Sequence, residues 1–385
     1  MQKRLAIITT HPIQYNAPLF SSLAARGNLE LKVFYTWGDI VLKRKYDPGF
    51  EKEIQWDVPT LEGYDYRFEL NVSKNPGSHH FSGINNPQLI QAIQDWGADA
   101  VLVYGWSYKS HLAVLRYFHN KIPVFFRGDS TLLQKRGPLK DTLRSFFLTW
   151  VYRHIDKALY VGEENRKYYL KYGLKEDQLV FAPHAVDNQR FGQAIEQSRH
   201  QIDLWKRALD IAADQLVFLY AGKLDKNKNV GMLLNVFCRL NRRDVQLIIA
   251  GTGPEENQLK ERFASHSSIH FLGFQNQSQM PLLYGMCNVF VLPSISETWG
   301  LGINEAMACG RAVLASSGCG AATDLIINGE NGYVFNNGDE ADLLNKMQIM
   351  CDFQLLKDFG QKSQHTIKDW NFEKTASVIE SLFTE

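Results

Sequence analysis

Short runs of consecutive apolar residues alternate with stretches of helical period from one end of the chain to the other. In the first half "RLAIITT", "LKVFYTW", "DAVLVYGW", "IPVFFRG", "KALYVG" and "QLVFAPH" read as strands. Between them lie helical patterns such as "NPQLIQAIQDWG", where Leu89, Ile90, Ile93 and Trp96 share one face and Pro87 suits the first turn. The second half restarts the theme with "QLVFLYAGKL", "VQLIIAG", "IHFLGF", "NVFVLPS", "RAVLAS" and "GYVF". Strands apolar throughout, with helices between them, predict parallel sheets covered on both faces. Two such series predict an α/β chain of two doubly wound, Rossmann-like domains, one over 1–190 and one over 205–371. The polar stretch 187–207 has no strand pattern and is the expected junction. Ligands of doubly wound sheets bind beyond the carboxyl ends of the strands, so a cleft between two facing domains is the expected site.

One stretch breaks the rhythm. Residues 36 to 86 are polar and rich in turn residues, yet carry Trp37, Tyr46, Trp56, Tyr64 and Tyr66. A long aromatic loop in a compact domain is either a binding loop or lid, or the closure of the domain's edge.

Composition narrows the classes. The chain has 385 residues, 45% hydrophobic and 22% charged, with a formal net charge of +1. That is long enough for two cores and too balanced for a field that draws nucleic acid. Five cysteines, an odd number without a CxxC pair, all lie in the C-terminal half and read as reduced core thiols. The N-terminal apolar run is too short for a signal peptide, and no run of about 18 apolar residues exists to span a membrane. The expectation is a cytoplasmic protein.

Candidate chemistry concentrates at strand ends in the second half. "SISETWGLGINEAMACG", residues 294–310, leaves a strand, bends at Gly300 and Gly302, and enters a short helix closed by Gly310. A helix start with bare glycines is an anion site, phosphate above all. Glu305 is read in the first turn, where it can bind a diol such as a ribose, and Glu297 on the loop, where it can meet a second polyol. Alone, each has a plainer reading, as a dipole-matching acid and a solvated loop acid. Lys223, Lys226 and Lys228 in "YAGKLDKNKNV" sit at another strand end, either neutralising a diphosphate or forming a solvated loop. "GTGPEE" is not the dinucleotide fingerprint, because Glu256 stands where a small residue is needed.

Together these pieces resemble the donor half of retaining glycosyltransferases of the GT-B fold, family 4. The likeness rests on Glu297-x7-Glu305 within "SETWGLGINEAMACGRAVLAS", on "GENGYVF", on Lys223-x4-Lys228, on "PHAVD" at 183–187 and on "FLGF" at 271–274. The resemblance implies an N-terminal acceptor domain, a C-terminal nucleotide-sugar domain, and a last helix near 372–385 crossing back to the first. It implies that Glu305 holds the ribose and Glu297 the transferred sugar, with Lys223 and Lys228 on the diphosphate. The main chain of Trp299, Gly300 and Leu301 would touch sugar or phosphate, and Gly273, Phe274 and Gln275 would line the base pocket. The implied reaction is metal-independent hexosyl transfer with retention, the nucleotide sugar (most often UDP-linked) being co-substrate rather than cofactor. The setting implied is cell-surface polysaccharide synthesis.

The chain departs from that pattern where Lys223 replaces the usual Arg, which alone makes a bidentate fork. His184 and Ala185 replace Asn-Gly, and "TTHPIQYNAPLF" lacks the paired glycines of many relatives. On the acceptor side His11, Arg127 and Asp129 are candidates to touch substrate, against a satisfied loop histidine and a surface ion pair. The basic, aromatic run 132–157 is either a surface helix for an anionic membrane, suiting a lipid-linked acceptor, or a domain helix with a solvated basic face. Two other functions share the fold: a GT-B nucleotide-sugar epimerase, and a silent nucleotide-sugar-binding subunit. The Glu-x7-Glu spacing speaks against the first, and the retained Glu297, Glu305, Lys223 and Lys228 against the second.

Overall fold

The structure, a computed structural model, describes residues 2–39, 45–47, 49–134 and 137–384. In chain order its strands are β1 (Lys3–Thr9), β2 (Leu29–Tyr35), β3 (Lys45–Asp47), β4 (Lys52–Ile54), β5 (Asp65–Phe68), β6 (Ala100–Tyr104), β7 (Val124–Arg127), β8 (Lys157–Tyr160), β9 (Leu179–Phe181), β10 (Leu216–Ala221), β11 (Val245–Ala250), β12 (Ile269–Gly273), β13 (Val289–Leu292), β14 (Ala312–Ser316) and β15 (Gly332–Phe335). The chain divides into two compact units, one of residues 1–44, 59–183 and 372–385, the other of 45–58 and 184–371.

The first unit is built on a parallel sheet of order β5-β2-β1-β6-β7-β8-β9. Its central strands are apolar over their middles, as in Leu5–Ile8 and Ala100–Val103, because both faces are covered there. Leu5 and Ile7 enter one core with Leu31, Val33 and Leu102, while Ala6 and Ile8 enter a second with Val101 and Val103. The helix Phe372–Ser381 closes the former core with Ala376 and Ile379. Its outer face is tied by Arg26, which donates to Glu373 at 2.6 Å and to Glu380 at 2.8 Å. The Glu373 side of this tie is exposed and contributes little, whereas Glu380 is mostly buried and adds to the apolar face in holding the helix.

The second unit has a parallel sheet of order β12-β11-β10-β13-β14-β15. The polar stretch expected as a junction folds here as two helices, Asn188–Gln197 and Arg199–Ala208, so the division falls at Pro183/His184 and not near 190. Each helix buries a single residue, Phe191 and Ile202, too sparse a pattern to announce itself. Asp187 caps the first, accepting from the Arg190 N–H at 2.9 Å. Three strands escaped the sequence reading. β5 is a largely exposed edge strand, and β3 and β4 form a three-residue antiparallel hairpin within a segment that belongs to the second unit.

The helix Pro138–Tyr152 has two apolar faces. Leu148, Val151 and Tyr152 are buried in the first unit's core, whereas Leu143, Phe146, Phe147 and Trp150 lie exposed, Phe146 at 76%. Lys135 and Arg136 of the basic run fall outside the described residues. Among the described residues, no helix is long and apolar enough to cross a membrane.

His111, unnoticed in the sequence, is wholly buried beside the end of β6. Its Nδ1 lies 3.0 Å from the Gly105 carbonyl oxygen, and its Nε2 lies 2.9 Å from Thr36 Oγ1. Burial disfavours the charged ring and brings its pKa from 6.5 down to about 4. The folded value is the depressed one, so this group's contribution to stability is complete above pH 6.5 and is lost as pH falls from there towards 4. Complete loss amounts to about 3 kcal/mol. The melting temperature is expected to fall across that window, and more shallowly in His111→Asn. Parallel slopes for the two proteins in thermal melts would assign the acid sensitivity to other groups.

Candidate functional site

In the second sheet the strand order reverses between β10 and β13, the place where doubly wound sheets hold ligands. The loop after β10 carries Lys223 and Lys228, and the loop after β13 carries Glu297. The two loops are stitched together. Asn227 Nδ2 donates to the Ser296 carbonyl at 2.7 Å, and the Ile295 N–H donates to the Asn227 carbonyl at 2.8 Å. Asp225 turns the first loop by accepting from the Lys228 N–H at 3.0 Å. The result is a direct ion pair between the Lys228 ammonium and the Glu297 carboxylate, each about one-fifth exposed. Glu297 is no freely solvated loop acid. Its N–H donates to the Gly318 carbonyl at 2.9 Å and its carbonyl accepts from the Gly320 N–H at 3.1 Å.

Beyond Glu297 the chain turns at Gly300, whose φ of +103° is open to glycine; a Cβ there would lie 2.8 Å from Leu292 Cδ2. The helix Leu301–Ala308 starts immediately, and a Cβ at Gly300 would lie 3.5 Å from Glu297 Cγ, so the helix start lies close to Glu297. A second close approach occurs at Gly251, where a Cβ would lie 1.8 Å from the Gly222 carbonyl oxygen. The strand ends are thus bare of side chains where the main chains crowd.

Glu305 corrects the sequence reading. The helix begins at Leu301, which puts Glu305 past the first turn, and the residue is 2% exposed. It is not matching a helix dipole at the surface. The Tyr284 hydroxyl donates to Glu305 Oε2 at 2.8 Å. A carboxylate is removed from water only where bonds compensate, and the Tyr284 hydroxyl supplies one of them.

Trp299 is likewise more architectural than its neighbours. Its indole is 3% exposed, donates through Nε1 to Asn304 Oδ1 at 2.8 Å, and stacks on Trp370 at 5.2 Å. Asn304 passes the connection on to the His184 carbonyl at 3.0 Å. The side chain therefore braces the loop.

Lys223 is held at its main chain by the Tyr220 hydroxyl, which donates to the Lys223 carbonyl at 2.6 Å. Its ammonium lies 4.9 Å from the centre of the Phe50 ring. β12 ends at Gly273 with φ +67°, and Gln275 Nε2 folds back onto the Leu272 carbonyl at 2.9 Å. Phe274 meets the edge of Phe50 with ring centres 5.4 Å apart. Phe50 was missed in the sequence, since nothing in "DPGFEK" distinguishes a surface turn from a wall of a site.

The first-unit candidates fare differently. His11 is half-buried, its Nδ1 2.8 Å from Thr10 Oγ1 and its ring edge-on to Trp37. Asp129 is exposed. Arg127 overturns both readings offered for it. It is 5% exposed and donates to the Ala182 and Pro183 carbonyls at 2.9 and 3.1 Å, locking the end of β9 instead of pairing at the surface or reaching for substrate. Among the described residues, no group of three or more His, Cys, Asp or Glu side chains could hold a metal ion. Cys287 and Cys319 are buried thiols, pushed up to about 12 by burial, and are reduced core residues.

Comparison with known proteins bears on this site. Residues 201–366 match the family described as glycosyl transferases group 1. An uncharacterized glycosyltransferase of Methanocaldococcus jannaschii is 30% identical over 132 residues, covering 33% of this chain and 34% of that protein. The lipopolysaccharide 1,2-N-acetylglucosaminetransferase of Salmonella typhimurium is 30% identical over 199 residues, 48% of this chain and 49% of that one. The chain thus spans about a third and about half of these relatives' length. Among solved structures, Anabaena HepE in complex with UDP and glucose superposes with a TM-score of 0.73 at 16% identity, covering 100% of both chains. That likeness establishes the fold: two parallel-sheet Rossmann-like domains of the GT-B type.

Proposed function

Because residues 201–366 match the glycosyl transferases group 1 family, we propose that the protein is a glycosyltransferase working from a nucleotide-diphosphate sugar. It moves a hexose-type sugar, from UDP by preference, to a glycan or lipid-linked acceptor in cell-surface polysaccharide synthesis. The reaction retains anomeric configuration and uses neither metal nor cofactor. The observation that carries the reading is the Lys228–Glu297 pair at the reversal of the second sheet, with the start of the Leu301–Ala308 helix close to Glu297.

In this reading Glu305 accepts from the ribose diol and Glu297 from the sugar hydroxyls. The sugar C1–O bond breaks with its electron pair going to the diphosphate, and an acceptor hydroxyl bonds to C1 on the same face. The acceptor's proton passes to the departing phosphate oxygen. Lys223, Lys228 and the first N–H groups of the Leu301–Ala308 helix stabilise the charge that develops. Preorganised donors of this kind are each worth roughly 3–4 kcal/mol. The UDP preference is supported by HepE, solved with UDP and glucose, and the acceptor class by the lipopolysaccharide transferase.

The test is a screen of EDTA-treated protein against UDP-, GDP- and ADP-sugars, by thermal shift and by transfer. A ligand at a hundred times its dissociation constant adds about 2.7 kcal/mol of stability. One nucleotide class should raise the melting temperature and support transfer in EDTA. A shift without transfer to any acceptor tried would favour the silent binding subunit, and activity restored only by added Mg²⁺ would end the metal-independent reading.

The proposed setting is the cytoplasmic side of a membrane. Residues 132–157 hold six Lys and Arg against two Asp in a chain of net charge +1, and the helix they include bares Leu143, Phe146, Phe147 and Trp150. Cationic charge with an apolar stripe fits an anionic lipid surface. Binding to phosphatidylglycerol vesicles is expected at low salt and is expected to be lost in Phe146→Ser. Equal co-sedimentation of both proteins would discard the contact.

A further inference from the structure

Residues 45–58 interrupt the first unit in sequence but belong to the second, as an arm built on the β3–β4 hairpin. It is bonded at its tip and at its exit. Thr252 Oγ1 donates to the Phe50 carbonyl at 2.7 Å, Asn276 Nδ2 to the Gln55 carbonyl at 2.8 Å, and the Ser278 N–H to Asp57 Oδ1 at 3.0 Å. These partners lie on the loops that follow β11 and β12. β12 stands two strands from β10, about 10 Å across the sheet at the usual strand spacing. The arm therefore runs along the strand ends beside the Lys223 loop.

What it brings there is aromatic. Phe50 presents a ring face to the Lys223 ammonium and an edge relation to Phe274, and Trp56 lies tilted 6.5 Å from Phe274. All three rings are only half-buried. A segment recruited solely for packing would bury its rings. This one keeps them partly open, in a row leading away from the lysine of the proposed diphosphate site.

We propose that the arm is a wall of the nucleotide pocket, in which Phe50 is a positioning residue that fixes the Lys223 ammonium and Trp56, beside Phe274, offers a stacking face to the base. This rests on the nucleotide-sugar reading given above. The rigid ring face spares the flexible lysine stem a search for its place, which is how a lysine can serve where a forked arginine would otherwise stand.

The test is calorimetric, on the full chain with UDP and with UMP. Phe50→Leu keeps apolar bulk and removes the ring face, and it is expected to weaken UDP binding by about 5- to 30-fold. In a Lys223→Ala background the same change is expected to do nothing further, and Phe50→Tyr is expected to restore the wild-type affinity. Trp56→Ala is expected to weaken UDP and UMP alike, by roughly 5- to 150-fold, the range for one stacked base. Phe50→Leu within twofold of wild type, or equally harmful with and without Lys223, would overturn the positioning role. Unchanged binding in Trp56→Ala would remove the base wall. If the wild-type protein itself binds none of UDP, GDP or ADP, the failure belongs to the proposed function, and the arm's role falls with it.

Discussion

Replacing Lys228 by alanine is expected to lower turnover by about a hundredfold or more, the scale of losing one electrostatic stabiliser of a developing negative charge. The loss should appear chiefly in kcat, because the ammonium gains most when the diphosphate departs. The Lys228–Glu297 pair is only about one-fifth exposed, so Lys228→Ala also leaves a largely buried carboxylate unpaired, and a fall in melting temperature is expected beside the loss of turnover. The ion pair also predicts an asymmetry: without its lysine, Glu297 loses its countercharge. Lys228→Arg keeps the charge but not its compact geometry, and should recover only part of the rate. Steady-state transfer assays decide the matter. A Lys228→Ala enzyme within twofold of wild type would reduce that lysine to a structural partner of Glu297.

Glu305→Ala is expected to weaken nucleotide binding by about 1.5–3 kcal/mol, or roughly 10- to 150-fold, through the loss of charge-assisted hydrogen bonds in a buried place. The variant also strands the Tyr284 hydroxyl, so a fall in melting temperature should accompany it. Tyr284→Phe separates the two effects. It removes the hydroxyl and leaves the carboxylate, and it should change affinity far less than Glu305→Ala does. Equal affinities for wild type and Glu305→Ala in titration calorimetry would remove the residue from the ribose.

The sheets were legible because parallel strands covered on both faces are apolar over their middles, a signal that survives without any partner in view. Residues such as Leu5 to Ile8 and Val289 to Leu292 could hardly be read otherwise. The reversal points follow from the order of the strands, which pattern alone does not give. Glu297 and Lys228 were legible as residues of interest, but not as a pair, since 69 residues separate them and only the crossing of the sheet brings them together. Arg127 was misread because a charged residue at a strand end looks alike whether it meets solvent or two carbonyl groups. The helices over 188–208 were illegible because each buries too few side chains to leave a period, and β3 and β4 because three residues are too few to show one. His111 was invisible because a single buried histidine has no pattern at all.

The stacking of Trp299 on Trp370 has an optical consequence. Two indoles 5.2 Å apart and inclined by 29° couple their electronic transitions, which the other six tryptophans of the chain do not share unless similarly close. Trp299 belongs to the loop that bears Glu297, so any shift of that loop on taking up a ligand alters the coupling. The near-ultraviolet circular dichroism of the unlabelled protein therefore carries a built-in signal for occupancy of the site, one that Trp370→Phe would extinguish while leaving both lysines and both glutamates in place.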